Sequence, residues 1–278
     1  MSWADLMSRP RAAPTARISY GPDPLQIVDL WIPAGQGPFP VVLMVHGGCW
    51  TTSVARLSIM DWAAEDLRRR GIAVWNIEYR GVDRPGGGYP GTFEDVAAAA
   101  DALAAHAREY RLATDRVVAF GHSAGGHLAI WLAARPGLPA DSPLNSAAPI
   151  PIHAAISSGG LPDLAATRAR GDASCGAETV DRLVGASRRN DPYRDTSPTA
   201  LPPPAAKIVV LDGDLDPISP PALNAAFVET MAGRGKLARR MSIDGAGHVE
   251  LIAPGTRAWA KTAALLRASL GMTAEAAP

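Results

Sequence analysis

The chain predicts an α/β domain on a mostly parallel central sheet, with helices on both faces and a small lid insertion. Three observations carry this. Five short runs are nearly continuous in apolar residues, as parallel strands covered on both faces are. Longer stretches with apolar residues at helical spacing alternate with them, an order that implies right-handed crossovers. The length of 278 residues suits one such domain with embellishments better than two full ones.

The elements follow in order. Residues 16–20 and 25–32 alternate polar and apolar side chains, which suits an antiparallel N-terminal edge. Residues 41–45 form the first buried run. A helix is expected over 54–70, with Leu57, Met60, Ala64 and Leu67 on one face and Gly71 past its end. After the run 72–77, a helix over 92–110 opens on Thr92-Phe93-Glu94-Asp95, an approximate capping box with Asp95 in place of the usual Glu or Gln. The runs 117–120, 153–156 and 207–211 continue the sheet, and 238–243 reads as its last strand. Helices are expected over 124–134, 221–232 and 256–270.

Residues 161–204 break this rhythm. They are rich in Asp, Arg, Ser and Pro, end in Pro202-Pro203-Pro204, and offer one helical piece near 178–184. They are expected to be an insertion lying over the sheet edge as a small lid, within a single domain spanning 1–278. Residues 1–15 and 271–278 are expected to fray.

Lys plus Arg number 27 and Asp plus Glu number 27. That balance excludes an electrostatic nucleic-acid binder, which needs a basic face. Apolar residues at 47% and charged ones at 19% argue against disorder. There is no apolar run of the length needed to span a membrane, and no signal-peptide pattern. Two cysteines, Cys49 and Cys175, make no disulfide framework and suit a reducing compartment, so the expected location is cytoplasmic. Oligomeric state is left open.

Chemistry is signalled most strongly at Gly121-His122-Ser123-Ala124-Gly125, directly after a strand and directly before a helix. A serine on so sharp a turn stands exposed, and flanking side chains would clash with the strand and helix beside it. The helix N-terminus also turns its positive end toward developing oxyanion charge. Upstream, the first buried run leads into His46-Gly47-Gly48-Cys49-Trp50. Bare backbone at Gly47 and Gly48, with the amide of Ala124, could donate to an oxyanion. His46 is expected to shape that loop. Cys49, Trp50, His122 and Tyr89 are expected to line the substrate pocket.

A serine nucleophile needs a base. Of six histidines, His106 and His153 lie within regular elements, and His122 and His127 flank the turn itself. His248 sits in the glycine-rich loop Asp244-Gly245-Ala246-Gly247-His248, where a strand end can carry an imidazole across to Ser123. The orienting acid should fall between serine and histidine in chain order. Asp212, Asp214 and Asp216 compete, and Asp216 is favoured because it follows Gly213 by three residues, room enough to turn back. Three Asp without clustered His do not suggest a metal.

With these residues assembled, the chain resembles the α/β-hydrolase superfamily, in the esterase and lipase branch with an His-Gly-Gly-x-Trp loop. That branch includes kynurenine formamidase-like and prolyl-oligopeptidase-like esterases. The likeness covers about residues 37–270. In it, Arg80 and Asp95 are expected to hold loops beneath the site. Relatives like hormone-sensitive lipase carry a third Gly where Cys49 stands. The resemblance implies a serine esterase working through Ser123, His248 and Asp216 without metal or cofactor, and Trp50, Tyr89 and the Pro-rich lid suggest a pocket for small or medium apolar acyl groups. Its expected partner is a small-molecule ester or activated amide. The alternatives are hydrolysis of N-formylkynurenine and a non-catalytic ligand-binding member of the fold.

Overall fold

The computed structural model describes residues 1–188 and 191–272. Eight strands form one sheet: β1 (Ala16–Ser19), β2 (Ile27–Trp31), β3 (Phe39–Val45), β4 (Ala73–Ile77), β5 (Leu112–His122), β6 (Ile152–Ser158), β7 (Lys207–Gly213) and β8 (Ala238–Ile243). Their spatial order is β1-β2-β4-β3-β5-β6-β7-β8. Strands β1 and β2 pair antiparallel, as do β2 and β4. Every later pair is parallel. The alternating early strands are therefore the antiparallel edge.

The helices are α1 (Trp3–Met7), α2 (Asp61–Arg69), α3 (Gly91–His106), α4 (Ala124–Ala134), α5 (Leu164–Ala169), α6 (Ala177–Val184), α7 (Pro221–Gly233) and α8 (Arg257–Ser269). The period-two pleat of β3 divides them between two cores. Val41, Leu43 and Val45 face a cluster with Phe93 and Val96 of α3 and Leu128 and Trp131 of α4. Val42 and Met44 face the other cluster, with Leu67 of α2 and Trp259 and Leu266 of α8. Ile130 of α4 and Phe227 of α7 close a third cluster over β7. Every residue of α4 is buried, which is why its sequence shows no polar stripe.

Several expectations change. The helix foreseen over 54–70 is a loop, a 3-10 turn at Leu57–Met60, and then α2; Gly71 does follow it, with φ +80°. No capping box opens α3, which begins at Gly91. Thr92 Oγ1 instead donates to the Arg80 carbonyl. The Asp95 carboxylate, fully buried, is taken by Arg80 and by Gln26 at 2.7 Å. The insertion carries two helices, α5 and α6, and roots Leu164, Val180 and Leu183 in the first core.

Within residues 1–15, a short helix is capped at its start. Ser2 Oγ accepts from the Asp5 amide at 3.2 Å, and the Asp5 carboxylate accepts from the Ser2 amide at 2.8 Å. This reciprocal cap starts α1, whose Leu6 is fully buried in the second core. At the other end Met272 still packs against that core; the rest of the tail expected to fray, 273–278, lies outside the described residues.

Candidate active site

Strand β5 ends at His122, and Ser123 caps α4 with φ +54° and ψ −123°. That conformation is costly for a residue with a side chain. It persists because the glycines around it let three backbones meet. A Cβ on Gly121 would lie 1.9 Å from the Gly125 carbonyl oxygen, and one on Gly125 would lie 2.1 Å from that of Val45. The serine is thus held up at the carboxyl ends of the parallel strands, where ligand sites of open α/β sheets form.

The loop after β3 approaches from the side. A Cβ on Gly47 would come within 2.9 Å of the Ser123 Cβ, so only glycine permits this spacing. Gly48, Cys49 and Trp50 all have positive φ, at +102°, +51° and +52°, and Thr51 N donates back to the Gly48 carbonyl at 2.9 Å. His46 fixes the loop from below. Its Nε2 lies 2.8 Å from Glu78 Oε1, a hydrogen bond to the carboxylate, and its Nδ1 lies 2.7 Å from the Gly47 carbonyl oxygen. Its ring stacks on Tyr79 at 4.3 Å. Burial opposes the charge on Glu78, but His46, the Leu57 amide and Arg56 together hold its carboxyl below the usual range.

His248 sits on the loop after β8, with its Nδ1 donating to Asp216 Oδ2 at 2.6 Å. Asp216 Oδ1 accepts from the amides of Ile218 at 2.9 Å and Ser219 at 3.0 Å. The carboxylate is therefore held on both oxygens. The competing acids are committed elsewhere: Asp212 binds Arg240 and Ser242, and Asp214 accepts from the Gly245 amide. His122 Nε2 donates to the His248 carbonyl at 3.0 Å, tying the histidine loop to the end of β5. Burial, then the neighbouring His248, push the His122 imidazole well below its ordinary pKa, so it stays neutral. His127 is likewise buried, lowered to about 4. Its Nε2 donates to the Thr196 carbonyl at 2.8 Å.

Ser123, His122 and His248 open into one cavity of about 750 Å³. Gly48 and Cys49 line it. Trp50 does not: it is fully buried and packs edge-on against His127 at 5.5 Å. The positive φ at both Cys49 and Trp50 turns the chain back into the core between these neighbours. Tyr89 is also elsewhere. Its hydroxyl donates to Asp195 Oδ2 at 3.0 Å, and the Arg188 guanidinium lies 3.6 Å over its ring. Among the described residues, 161–204 contributes no lining side chain. The walls come from α1 and from residues 52–62, with Ile218 opposite. Trp3 meets the rings of both His122 and His248 edge-on, at 6.0 and 6.4 Å. The sequence carried one signal for this arm, the Ser2-x-x-Asp5 cap, but none for where it docks.

The expected free thiols are instead a disulfide. Cys49 and Cys175 are bonded, across 126 residues. The bond staples the glycine loop beside Ser123 to the insertion, and it removes the cysteine argument for a reducing compartment. No helix among the described residues is long and apolar enough to cross a membrane.

Comparison with known proteins agrees with this architecture. Esterase B from Lactobacillus rhamnosis superposes with a TM-score of 0.80 at 18% identity, over 97% of this chain and 91% of that one. A truncated carbohydrate esterase from gut microbiota superposes at 0.76 with 20% identity, over 94% and 97%. At such identities the likeness is one of fold. A probable isoprenylcysteine alpha-carbonyl methylesterase of Arabidopsis thaliana is 33% identical over 116 residues, 40% of this chain and 23% of that protein. An esterase of Gibberella moniliformis is 33% identical over 94 residues, 34% and 28%. The chain thus spans about a quarter of the length of these curated relatives. The BD-FAE family profile matches residues 28–231, which include Ser123 and Asp216. With that match over most of its length, the chain belongs to the BD-FAE family, on an α/β-hydrolase fold.

Proposed function

We propose that the chain is a serine hydrolase that cleaves carboxylic esters of small or medium acyl groups. The observation that carries this is the shared cavity of Ser123 and His248, with His248 Nδ1 bonded to a carboxylate whose other oxygen rests on two amides. In this reading His248 takes the proton of Ser123 as Oγ attacks the ester carbonyl. Asp216 holds the imidazole in the right tautomer and stabilises its protonated form. The amides of Gly47, Gly48 and Ala124 meet the negative charge on the tetrahedral intermediate. His248 then gives its proton to the departing alcohol, and water activated by the same imidazole releases the acid from the acyl-enzyme.

The relatives named esterases or methylesterases favour ester over amide substrates. His122 enters as a positioning residue: neutral and buried, it holds the backbone of His248. The Cys49–Cys175 disulfide favours work in an oxidising compartment over the cytoplasm.

A fluorophosphonate probe tests the assignment. The wild-type chain is expected to be labelled with loss of activity on p-nitrophenyl esters, and Ser123→Ala to resist labelling. Persistent labelling of that variant would discard Ser123 as the nucleophile.

A further inference from the structure

The charged side chains walling the cavity are of one sign. Arg11 and Arg56 line it together with His122 and His248, and no carboxylate does so among the described residues. The remaining wall is largely apolar, with Trp3, Met7, Ile59 and Trp62 forming one side. Both guanidiniums are about half exposed, at 52% and 50%, while the acids that hold them lie buried behind the wall.

Neither acid neutralises its arginine fully. Arg56 Nε donates to Glu78 Oε2 at 3.0 Å, but the same carboxylate also serves His46 and the Leu57 amide. Arg11 Nε stands 3.6 Å from Asp61 Oδ2. Burial raises the Asp61 carboxyl to about 7, so near neutral pH its charge is only partly present. A guanidinium offers five donors in a planar fork. Arg56 reaches its acid through Nε alone, and Arg11 stands at ion-pair distance from its own without a hydrogen bond, so donors of both guanidiniums are left for a ligand of the cavity they line. A cleft with one sign of charge and low-dielectric walls concentrates oppositely charged ligands.

We infer that the preferred ester carries an anionic oxyacid group, which Arg11 and Arg56 receive while its apolar body lies against Trp3 and Trp62. This selectivity rests on the esterase reading of Ser123, and it gives the cavity an electrostatic preference that ester chemistry alone does not require. The arginines act on binding. Their contribution should therefore appear in KM more than in kcat.

Two measurements test it separately from catalysis. The first is calorimetric binding of 4-phenylbutanoate against its neutral amide. The second is the ratio of kcat/KM for the p-nitrophenyl monoester of adipate to that for p-nitrophenyl hexanoate. The carboxylate is expected to win in both, by about fivefold or more at low salt, with the preference fading as salt rises. Arg11→Gln should reduce both ratios about two- to threefold, and Arg11→Lys should restore part of the loss. Equal or reversed preference in the wild type would overturn the inference, as would a preference unmoved in Arg11→Gln. Preferential binding of the carboxylate without turnover of any ester would instead overturn the esterase reading and leave only the anion preference of the cavity.

Discussion

The floor and the wall of the cavity are built in opposite ways. The floor holds Ser123 and His248, with Asp216 behind, all nearly inaccessible, on the turns and loops that leave β5, β8 and β7. Backbones there pass so closely that several glycines admit no Cβ, and each carboxylate oxygen of Asp216 has a partner. One wall is an arm of eleven residues. Leu6 buries it, the Pro10 carbonyl accepts from Trp62 Nε1 at 3.1 Å, and Arg9 donates to the Pro254 carbonyl at 2.6 Å. Met7 on that arm and Val54 beside it remain mostly exposed. Chemistry is thus set where the fold is most constrained, and recognition where it is held by a few anchors. Stability differences of that kind are what allow one part of a protein to adjust while another stays rigid.

The contrast can be broken from its rigid side first. Asp216→Asn keeps the shape of the floor but presents the wrong hydrogen-bonding face to His248. Turnover is expected to fall by about 10³–10⁴ with an unchanged melting temperature, read by ester kinetics alongside calorimetry. Next is the staple. Reducing Cys49–Cys175, or replacing both with serine, should cost about 2–5 kcal/mol of stability, because the bond closes a loop across 126 residues. Thermal unfolding with and without reductant measures it. Gly47→Ala follows. Its new methyl would meet Ser123 Cβ at 2.9 Å, so the loop must move, and kcat should fall about 10- to 100-fold with KM less affected.

Smaller effects sharpen the picture of the wall. The folded chain holds the Asp61 carboxyl near pH 7, against an ordinary value of 3.8. Between those values the unfolded chain has released its proton and the folded chain has not. Stability therefore declines as pH rises through that window and levels off above it. Asp61→Asn should remove the decline, gaining about 1–3 kcal/mol at pH 8 and little at pH 4, as denaturant midpoints at the two pH values would record. Trp3→Ala should raise KM for aryl esters about three- to tenfold while kcat changes less, because it removes apolar wall and no reacting group.

The same contrast explains what could be read in advance. Gly121, Gly125 and Ser123 were legible because a strained turn leaves few residues to choose from. Asp216 was legible from chain order and from its distance after Gly213. The antiparallel edge showed in the alternation of residues 16–32. Other features depended on contacts between distant segments. Two cysteines carry no information about whether they pair. Trp50 follows a cavity residue in the chain, yet a left-handed backbone sends it into the core. Thr92 and Asp95 fit a capping box locally, but Arg80 and Gln26 claim the carboxylate. Tyr89 suits a pocket wall by its place in the chain, yet Asp195 and Arg188 engage it.

Helix α4, enclosed on every side, has a practical corollary. It touches β3, β5, β6 and α3, so a change of volume at any of its positions is passed straight to the serine at its tip. Efforts to redirect the protein toward new substrates should leave that helix untouched and diversify positions 3, 7, 11, 54 and 62, where side chains can be exchanged without moving the reactive oxygen.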